Sequence, residues 1–345
     1  VTSLRDHTPY QSIQNLWVKS DGDIIKNPMR PMIKDLDTLP FPSYANDTYY
    51  FLESNRVTRG EPLLAEREVW VQASRGCPYN CTFCVVPLEH ILFKDLGPPV
   101  RRRSVGSVIE EIHQYLRLSG PTADYVFFLD EVFGVNEAWL DEFEVRYKEE
   151  VGLPFFVEYH PKSLNSKRLR KLANAGMDRI DFGIQTGSDE LRNGLFDRRG
   201  SNDEIITLAH EIASYGVKAN IDLIVDNPYE TAEMMMSTIE VLLQLPKPLF
   251  FNLFQLKWFP GYILTDQALA EGIIQPEEAS VEHLMQTVGE DWSYVPKLFP
   301  YTKKQVLRTY KTNAVTIRLK SSSSEHAATL EIQGRPRRTL IRSSA

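Results

Sequence analysis

The three cysteines of this 345-residue chain, at positions 77, 81 and 84, form a Cys-x-x-x-Cys-x-x-Cys group. An odd number of cysteines cannot form a closed disulfide framework, which argues against a secreted, disulfide-stapled fold. Three thiolates on one short loop would repel one another unless a metal ion or a metal cluster compensates their charge. The spacing therefore indicates an inorganic ligand.

Two kinds of metal centre compete for these thiols. A cluster of four irons with three protein ligands keeps one iron open, and catalysis needs an open coordination position. Zinc would need a fourth ligand such as His90, and structural zinc sites usually combine two separated cysteine pairs. A third interpretation, three buried reduced cysteines acting as small hydrophobic side chains, does not explain a loop that also contains Pro78, Asn80 and Thr82. The sequence favours the iron–sulfur cluster over zinc.

Charge and hydropathy exclude several classes of partner. The chain has 39 Lys and Arg against 46 Asp and Glu, a formal net charge of −7, so nucleic acid is not the expected partner. No stretch reaches the roughly 18 apolar residues of a membrane span, and the N-terminus lacks the apolar core of a signal peptide. We predict a cytoplasmic protein without a membrane span. Because the chain begins at Val1 and not at Met, we also predict a fragment or a processed product.

Six β-rich runs alternate with helical stretches after residue 67, which is the pattern of βα units on a parallel sheet. The runs are residues 69–73, 125–129, 155–159, 179–184, 219–225 and 249–256. Periodicity alone fits a full or partial βα barrel and a doubly wound sheet equally well. Both folds place ligands at the carboxyl ends of the strands, and the cysteine loop directly follows the first run.

Helix start signals separate the strands. Ser104 precedes an apolar ladder from Val105 to Leu116, with the spacing of a core-facing helix. Ser201, with a glutamate three residues later, forms a capping box. We predict further helix starts at Ser163 and at either Glu230 or Thr231.

The segments outside the alternation differ in composition. Residues 1–67 are rich in Pro, Asp and Asn and predict an extended linker or wrapping arm. Residues 263–320 predict a helical extension. Residues 321–345 begin with a serine run and predict an irregular or disordered tail.

The cysteine motif, with aromatic Phe83 before the third cysteine and a strand before the loop, resembles the radical S-adenosylmethionine (SAM) superfamily. The resemblance covers residues 68–262. It implies an α/β fold, a partial (β/α)6 barrel with an N-terminal linker and a C-terminal helical extension. It also implies a [4Fe-4S] cluster on Cys77, Cys81 and Cys84 whose open iron binds SAM. An electron from a reductant such as flavodoxin or ferredoxin would cleave the sulfonium to give a 5′-deoxyadenosyl radical.

The resemblance also implies cofactor-binding residues, which are Phe83, Asp130, Glu131, Gln185 and Arg198. Asp130 and Glu131 stand where many members carry a Gly-Gly-Glu segment that receives the SAM amine, but the glycines are absent here. Gln185 stands in a stretch near the SAM ribose and carboxylate. Arg198, or its neighbour Arg199, takes the place of an arginine that often meets the carboxylate. The simpler interpretations are helix N-caps for the acids and solvated cations for the arginines.

Residues 15–42 resemble the connector that follows a cobalamin-binding domain in cobalamin-dependent members, although that domain is not in the chain. This implies cobalamin as a further cofactor and methyl transfer to an unactivated centre of a small-molecule or peptide substrate. A cobalamin-independent isomerase or hydrogen-abstracting enzyme and a non-catalytic metal-binding module are the alternatives.

The sequence identifies no catalytic residue. Aromatic side chains at strand ends could wall the barrel mouth; these are Phe133, Tyr159, Trp258 and Phe259. His160, at the end of the third strand, is a candidate for handling a proton or contacting the substrate at the same mouth.

Overall fold

A computed structural model of the chain describes residues 5–6, 9–44, 48–53, 55–247, 250–284, 316–321 and 328–333. The N-terminal part contains two antiparallel hairpins, β1 (Trp17–Ser20) with β2 (Asp23–Lys26) and β3 (Tyr50–Glu53) with β4 (Arg56–Arg59). The first long-range strand is β5 (Glu68–Val71). A two-residue ladder follows, β6 (Ser74–Arg75), with helix α1 (Val86–Leu92) between it and its partner β7 (Arg101–Arg102).

Strands and helices then alternate along the chain. Their bounds are α2 (Val105–Ser119), β8 (Tyr125–Phe128), α3 (Glu137–Glu150), β9 (Phe155–Tyr159), α4 (Ser166–Ala175), β10 (Met177–Gln185), α5 (Asn202–Ser214), β11 (Lys218–Val225), α6 (Ala232–Gln244), β12 (Phe250–Gln255) and α7 (Ile263–Ala270). A last antiparallel hairpin pairs β13 (Thr316–Ser321) with β14 (Ala328–Gln333). The sequence predicted helices up to residue 320 and an irregular tail after it, so this hairpin differs from the expectation.

The main sheet has six parallel strands in the order β12-β11-β10-β9-β8-β5. A doubly wound sheet would reverse its strand order part-way, whereas a βα barrel keeps the order of the chain. The strand order therefore decides between the two folds that periodicity left open. Within the described residues β5 and β12 remain the two edges, so the sheet is open, as in a partial barrel.

The predicted helix starts are confirmed at three of four positions. The Ser104 side chain accepts the Ser107 N–H, Ser201 forms the capping box with Glu204, and Thr231 caps α6. The prediction for Ser163 is wrong, because Asn165 caps α4 and accepts the Arg168 N–H. The Ser163 hydroxyl lies within hydrogen-bond distance of the Tyr79 hydroxyl, at 2.6 Å.

The strands bury one face against the helices. Alternate strand residues such as Val126, Val157, Ile180 and Ile221 are fully buried in the core that the helices cover. The residues between them face the other side of the sheet, because side chains alternate along a strand. That second, concave face is available for a ligand.

The N-terminal arm packs on the barrel beside the cysteine loop. The Met32 N–H donates to the Leu96 carbonyl at 2.8 Å, and the Asp37 carboxylate accepts the Ser104 N–H at 3.0 Å. The Phe41 ring lies 5.2 Å from the Arg103 guanidinium. Among the described residues, no helix is long and apolar enough to cross a membrane.

Candidate active site

The cysteine loop begins at Gly76, whose backbone only glycine suits. Its φ of +90° lies in the left-handed region, and an added Cβ would lie 2.0 Å from the Pro99 carbonyl oxygen. The Gly76 N–H donates to a Glu131 carboxylate oxygen at 3.2 Å. The turn thus directs the chain from the end of the β6 strand into the loop.

Hydrogen bonds of Thr82 hold the middle of the loop to two other segments of the chain. The Thr82 N–H donates to the Phe196 carbonyl at 3.1 Å, and the Thr82 hydroxyl donates to the Leu195 carbonyl at 2.6 Å. The Leu264 N–H, at the start of α7, donates to the Thr82 carbonyl at 3.0 Å. The cysteines are therefore held on a fixed backbone.

All three cysteines line one cavity of about 250 Å³ at the carboxyl ends of the strands. Burial, and to a smaller extent the neighbouring thiols, raises the pKa of Cys77 to about 11, and burial likewise raises the pKa of Cys84. The Cys77 and Cys84 thiols are therefore protonated unless a cation compensates them. Positive charge from bound iron would supply that compensation.

The fourth zinc ligand that the sequence suggested is already engaged in hydrogen bonds. Within the described part of the chain, no three His, Cys, Asp or Glu side chains are placed to hold a single metal ion. His90, the suggested fourth zinc ligand, has both ring nitrogens engaged, 2.8 Å from the Asn80 side-chain oxygen and 3.0 Å from the Cys77 carbonyl. Three thiols in the lining of one cavity are the donor set that a [4Fe-4S] cluster with one open iron requires.

Arg198 is the cation beside the cysteines. Its Nη1 lies 3.4 Å from the Cys81 sulfur, and its Nε donates to the Gly183 carbonyl at 2.6 Å. Arg199, the alternative in the sequence, has a side chain that is 83% exposed and lies 3.7 Å from Asp197. The structure thus brings only the first of the two arginines into the cavity.

Gln185 enters the cavity from a bulge. Its φ is +66°, and the pairing of β10 with β11 shifts register between Gly183 and Gln185. A Cβ on Gly183 would lie 2.0 Å from the Gln185 side-chain nitrogen and 3.2 Å from an Arg198 nitrogen. The absence of a side chain at Gly183 therefore leaves room for both polar groups.

The family model described as the Radical SAM superfamily matches residues 71–242, which contain the three cysteines and four of the six strands of the main sheet together with the end of β5. The chain carries a radical SAM domain. Members of this superfamily use a [4Fe-4S] cluster and SAM, which agrees with the thiol geometry.

Relatives of this radical SAM domain include methyltransferases and methylthiotransferases. An uncharacterized methyltransferase from Pyrococcus horikoshii is 26% identical over 277 residues, 79% of this chain and 56% of the relative. A tRNA-2-methylthio-N(6)-dimethylallyladenosine synthase from Oceanobacillus iheyensis is 24% identical over 181 residues, 51% of this chain and 34% of the relative. The chain spans about half the length, or less, of these curated relatives.

Solved structures share the fold of the radical SAM domain. The methyltransferase TsrM from Kitasatospora setae, with cobalamin and a [4Fe-4S] cluster bound, aligns with a TM-score of 0.59 at 18% identity, covering 78% of this chain and 51% of TsrM. The cobalamin-dependent SAM radical enzyme OxsB, with aqua-cobalamin and SAM bound, aligns with a TM-score of 0.54 at 17% identity, covering 79% of this chain and 37% of OxsB.

The residues suggested for cofactor binding separate into two groups in the radical SAM domain. Phe83, Glu131, Gln185 and Arg198 line the cavity with the cysteines. Asp130 does not, since its fully buried carboxylate accepts the Ala73 N–H at 2.9 Å and bonds the Ser74 hydroxyl. Asp130 therefore holds the backbone that leads into the cysteine loop.

The four aromatic residues suggested for the cavity wall also lie in different places. Tyr159 lines the cavity, whereas Phe133 is fully buried among core rings such as Phe143, 5.2 Å away. Trp258 packs on a small apolar cluster, and Phe259 stacks on Tyr262 at 5.0 Å. Of the four aromatic residues, only Tyr159 borders the cavity.

Sequence reasoning missed three acids on the concave face. Glu158, Asp181 and Asp222 follow one another on β9, β10 and β11 and line the cavity. Glu158 and Asp181 are register partners, and one oxygen of Asp181 has no hydrogen-bond partner among the described residues. Their signal in the sequence was an acid in each of three neighbouring strands whose other residues are mostly apolar.

Burial raises the pKa of all three acids. It raises the pKa of Glu158 to about 7, that of Asp181 to about 8 and that of Asp222 to about 6. For Glu158 and Asp181, repulsion by Asp222 adds to the effect of burial. Each of these side chains is therefore more stable when it is protonated or paired with a bound cation than as an unpaired carboxylate.

The cluster-free protein is expected to lose stability as the pH rises from about 4 to about 8. In this range the three acids hold their protons more tightly in the folded protein than in the unfolded chain, so losing those protons disfavours the folded state. Replacing Asp181 by Asn should flatten this slope by up to about 1 kcal/mol per pH unit. The same exchange at exposed Asp203 is the matched control and should leave the slope unchanged. Urea unfolding at several pH values measures both slopes, and a parallel wild-type and Asp181→Asn profile would contradict the assignment.

Proposed function

We propose that this chain is the radical SAM domain of an enzyme that binds a [4Fe-4S] cluster on Cys77, Cys81 and Cys84 and cleaves SAM reductively. We further propose that the whole enzyme is cobalamin-dependent and transfers a methyl group to an unactivated centre. Its substrate is then a small molecule or peptide, and a flavodoxin- or ferredoxin-like protein in the cytoplasm supplies electrons. The observation that carries the proposal is the single cavity on which three thiols, one arginine and four carboxylates converge.

The charges of the cavity complement those of SAM. SAM carries a sulfonium, an ammonium and a carboxylate, so it has two positive groups and one negative group. Arg198 provides one fixed positive charge beside Cys81, while the acids Glu131, Glu158, Asp181 and Asp222 also line the cavity. An anionic end placed at the arginine and cationic groups placed among the acids would give each of the three charges of SAM an opposite partner.

The residues of the chain would hold the reactants and exclude water. A reduced [4Fe-4S] cluster would supply the electron that cleaves the sulfonium of SAM to methionine and a 5′-deoxyadenosyl radical. Phe83, which packs edge-on against Phe196 with ring centroids 5.0 Å apart, closes the cavity beside the cysteines. Tyr159 closes it from β9. Such apolar walls protect a reactive intermediate from solvent.

Two observations support the cobalamin-dependent subtype. Residues 15–42 resemble the connector of that subgroup, and the fold aligns with TsrM and OxsB. The second candidate is a methylthiotransferase-like, cobalamin-independent enzyme, because a relative from Methanocaldococcus jannaschii is named a putative methylthiotransferase and the Oceanobacillus iheyensis relative is named a tRNA-2-methylthio-N(6)-dimethylallyladenosine synthase. The Oceanobacillus iheyensis match covers 51% of this chain and the Pyrococcus horikoshii methyltransferase match covers 79%, which favours the first candidate.

The Gly183→Ala variant is expected to fold but to bind SAM at least about tenfold more weakly. The added Cβ would displace the Gln185 amide and the Arg198 guanidinium, both of which end flexible side chains. Gly194→Ala is the control, since nothing lies within 4 Å of a Cβ there. Equilibrium binding of SAM to the reconstituted protein measures the effect; equal affinity of both variants would count against this arrangement of Gln185 and Arg198.

A product assay separates the candidate subtypes. The natural full-length protein is reconstituted anaerobically with iron and sulfide, with and without hydroxocobalamin, and supplied with SAM and dithionite. The proposal expects stoichiometric cobalamin binding and formation of S-adenosylhomocysteine that depends on cobalamin. Formation of 5′-deoxyadenosine with no cobalamin bound would support the cobalamin-independent candidate. Absence of both products and of SAM binding would support a non-catalytic metal-binding module.

A further inference from the structure

His160, which directly follows β9, is one of three residues of the cavity lining with a buried polar atom that has no hydrogen-bond partner among the described residues; the others are Tyr159 and Asp181. It is only 3% exposed and lines the cavity. Its Nδ1 accepts the Lys162 N–H at 3.1 Å, and its ring stacks on Tyr79 with centroids 3.6 Å apart and planes 15° apart. Its Nε2 is buried and has no hydrogen-bond partner among the described residues.

The hydrogen bond at Nδ1 fixes the tautomer of the ring. A nitrogen that accepts a hydrogen bond carries no proton, so the neutral ring of His160 carries its proton on Nε2. Burial, with added repulsion from Arg198 and Lys162, lowers the pKa of His160 to about 3, so the ring is neutral near pH 7. His160 thus presents a buried N–H donor without an acceptor. Native proteins rarely leave a buried donor unpaired.

The charges around the cavity indicate what the donor binds. Arg198 is close enough to His160 to act on its charge, and it also contacts the Cys81 sulfur. The acids on the cavity wall would repel an anion, so an anionic acceptor is best placed on the side of Arg198 and His160.

We propose that the Nε2–H of His160 binds the carboxylate at the amino-acid end of SAM, next to Arg198. This inference rests on the proposed function. It makes His160 a ligand-binding residue that holds the amino-acid end in place, and it excludes the alternative that the imidazolium donates a proton. The stacking on Tyr79, a residue of the cysteine loop, fixes the donor relative to the cysteines.

Two variants remove the donor at the Nε2 position while each keeps a different structural contact, because the asparagine amide ends nearer the backbone than Nε2. His160→Phe keeps a ring to stack on Tyr79. His160→Asn keeps a side-chain oxygen that can accept the Lys162 N–H in an Asx turn. His113→Phe is the control, since His113 lies on α2 and bonds the Glu150 carbonyl at 2.9 Å.

The reconstituted protein is titrated calorimetrically with S-adenosylhomocysteine, which has the carboxylate, and with 5′-methylthioadenosine, which lacks the amino-acid end. Both His160 variants should weaken S-adenosylhomocysteine binding about tenfold and leave 5′-methylthioadenosine binding unchanged. The control should change neither affinity.

Several results would overturn the inference. These are unchanged binding of S-adenosylhomocysteine, an equal loss for both ligands, a loss in His160→Asn alone, and a wild-type protein that binds both ligands equally. The proposed function is judged separately, because it predicts that the wild-type cluster assembles and that SAM alters its EPR signal whatever His160 does.

Discussion

Replacing any one of Cys77, Cys81 or Cys84 by alanine is expected to abolish cluster assembly and the formation of 5′-deoxyadenosine together. Each thiol lines the same cavity, and the chain has no further cysteine that could substitute for it. Loss of one of three ligands leaves a cluster with two open irons, which would not survive purification. Iron and sulfide content and the visible absorbance of the reconstituted variants measure the loss, expected to exceed about 90%.

Asn80→Ala is the control for the cysteine variants, because Asn80 lies on the same loop but its side chain contacts only His90 among the polar contacts of the described residues. It should assemble a normal amount of cluster. A cysteine variant that retained wild-type iron content and product formation would mean that the cluster lies elsewhere.

Replacing Arg192 by methionine is expected to cost about 1–3 kcal/mol of unfolding free energy. The Arg192 side chain is almost fully buried, and its guanidinium donates to the carbonyls of Thr186 and Gly200 and pairs with Asp189 at 2.6 Å. Without it the buried Thr186 carbonyl loses the two guanidinium donors, whereas the Gly200 carbonyl keeps the Asn193 amide.

The effect of Arg192 should reach the active site. Arg192 lies in the π-helix Leu191–Leu195, and its carbonyl accepts the Arg198 N–H at 2.8 Å. The carbonyl of Leu195, from the same turn, binds Thr82 of the cysteine loop. We therefore expect weaker cluster retention in the Arg192 variant as well as lower stability.

Arg199→Met is the matched control for Arg192→Met, because the Arg199 side chain is 83% exposed. It should change the unfolding free energy by less than about 0.5 kcal/mol. Urea unfolding of both variants measures the difference. Equal stability of the two would contradict the role given to Arg192.

The fold could be predicted from the sequence wherever local signals decide it. The six strand runs and three of the four helix starts were read correctly, because apolar spacing and capping residues act over a few positions. The hairpins β1–β2 and β3–β4 were missed, since strands of four residues are too short to show a period. The strand order, which decides between barrel and doubly wound sheet, depends on contacts between distant segments.

The sequence predicted those parts of the candidate site that depend on neighbouring residues and missed those that depend on distant contacts. The cysteines lie within eight positions, so the sequence alone indicates their chemistry. Asp130 and Glu131 are neighbours in sequence, but only the structure shows that Asp130 bonds the backbone while Glu131 borders the cavity. Asp181 and Arg192 were overlooked because their roles depend on the register of β10 and on burial, neither of which a local pattern reveals.

EPR spectroscopy of the anaerobically reconstituted and reduced protein, with and without SAM, tests the central claim most directly. The account predicts the signal of a reduced [4Fe-4S] cluster that changes when SAM is added, because SAM binds the iron that lacks a protein ligand. A cluster signal unmoved by SAM, or a protein that takes up zinc in four-coordinate form and no iron, would contradict it.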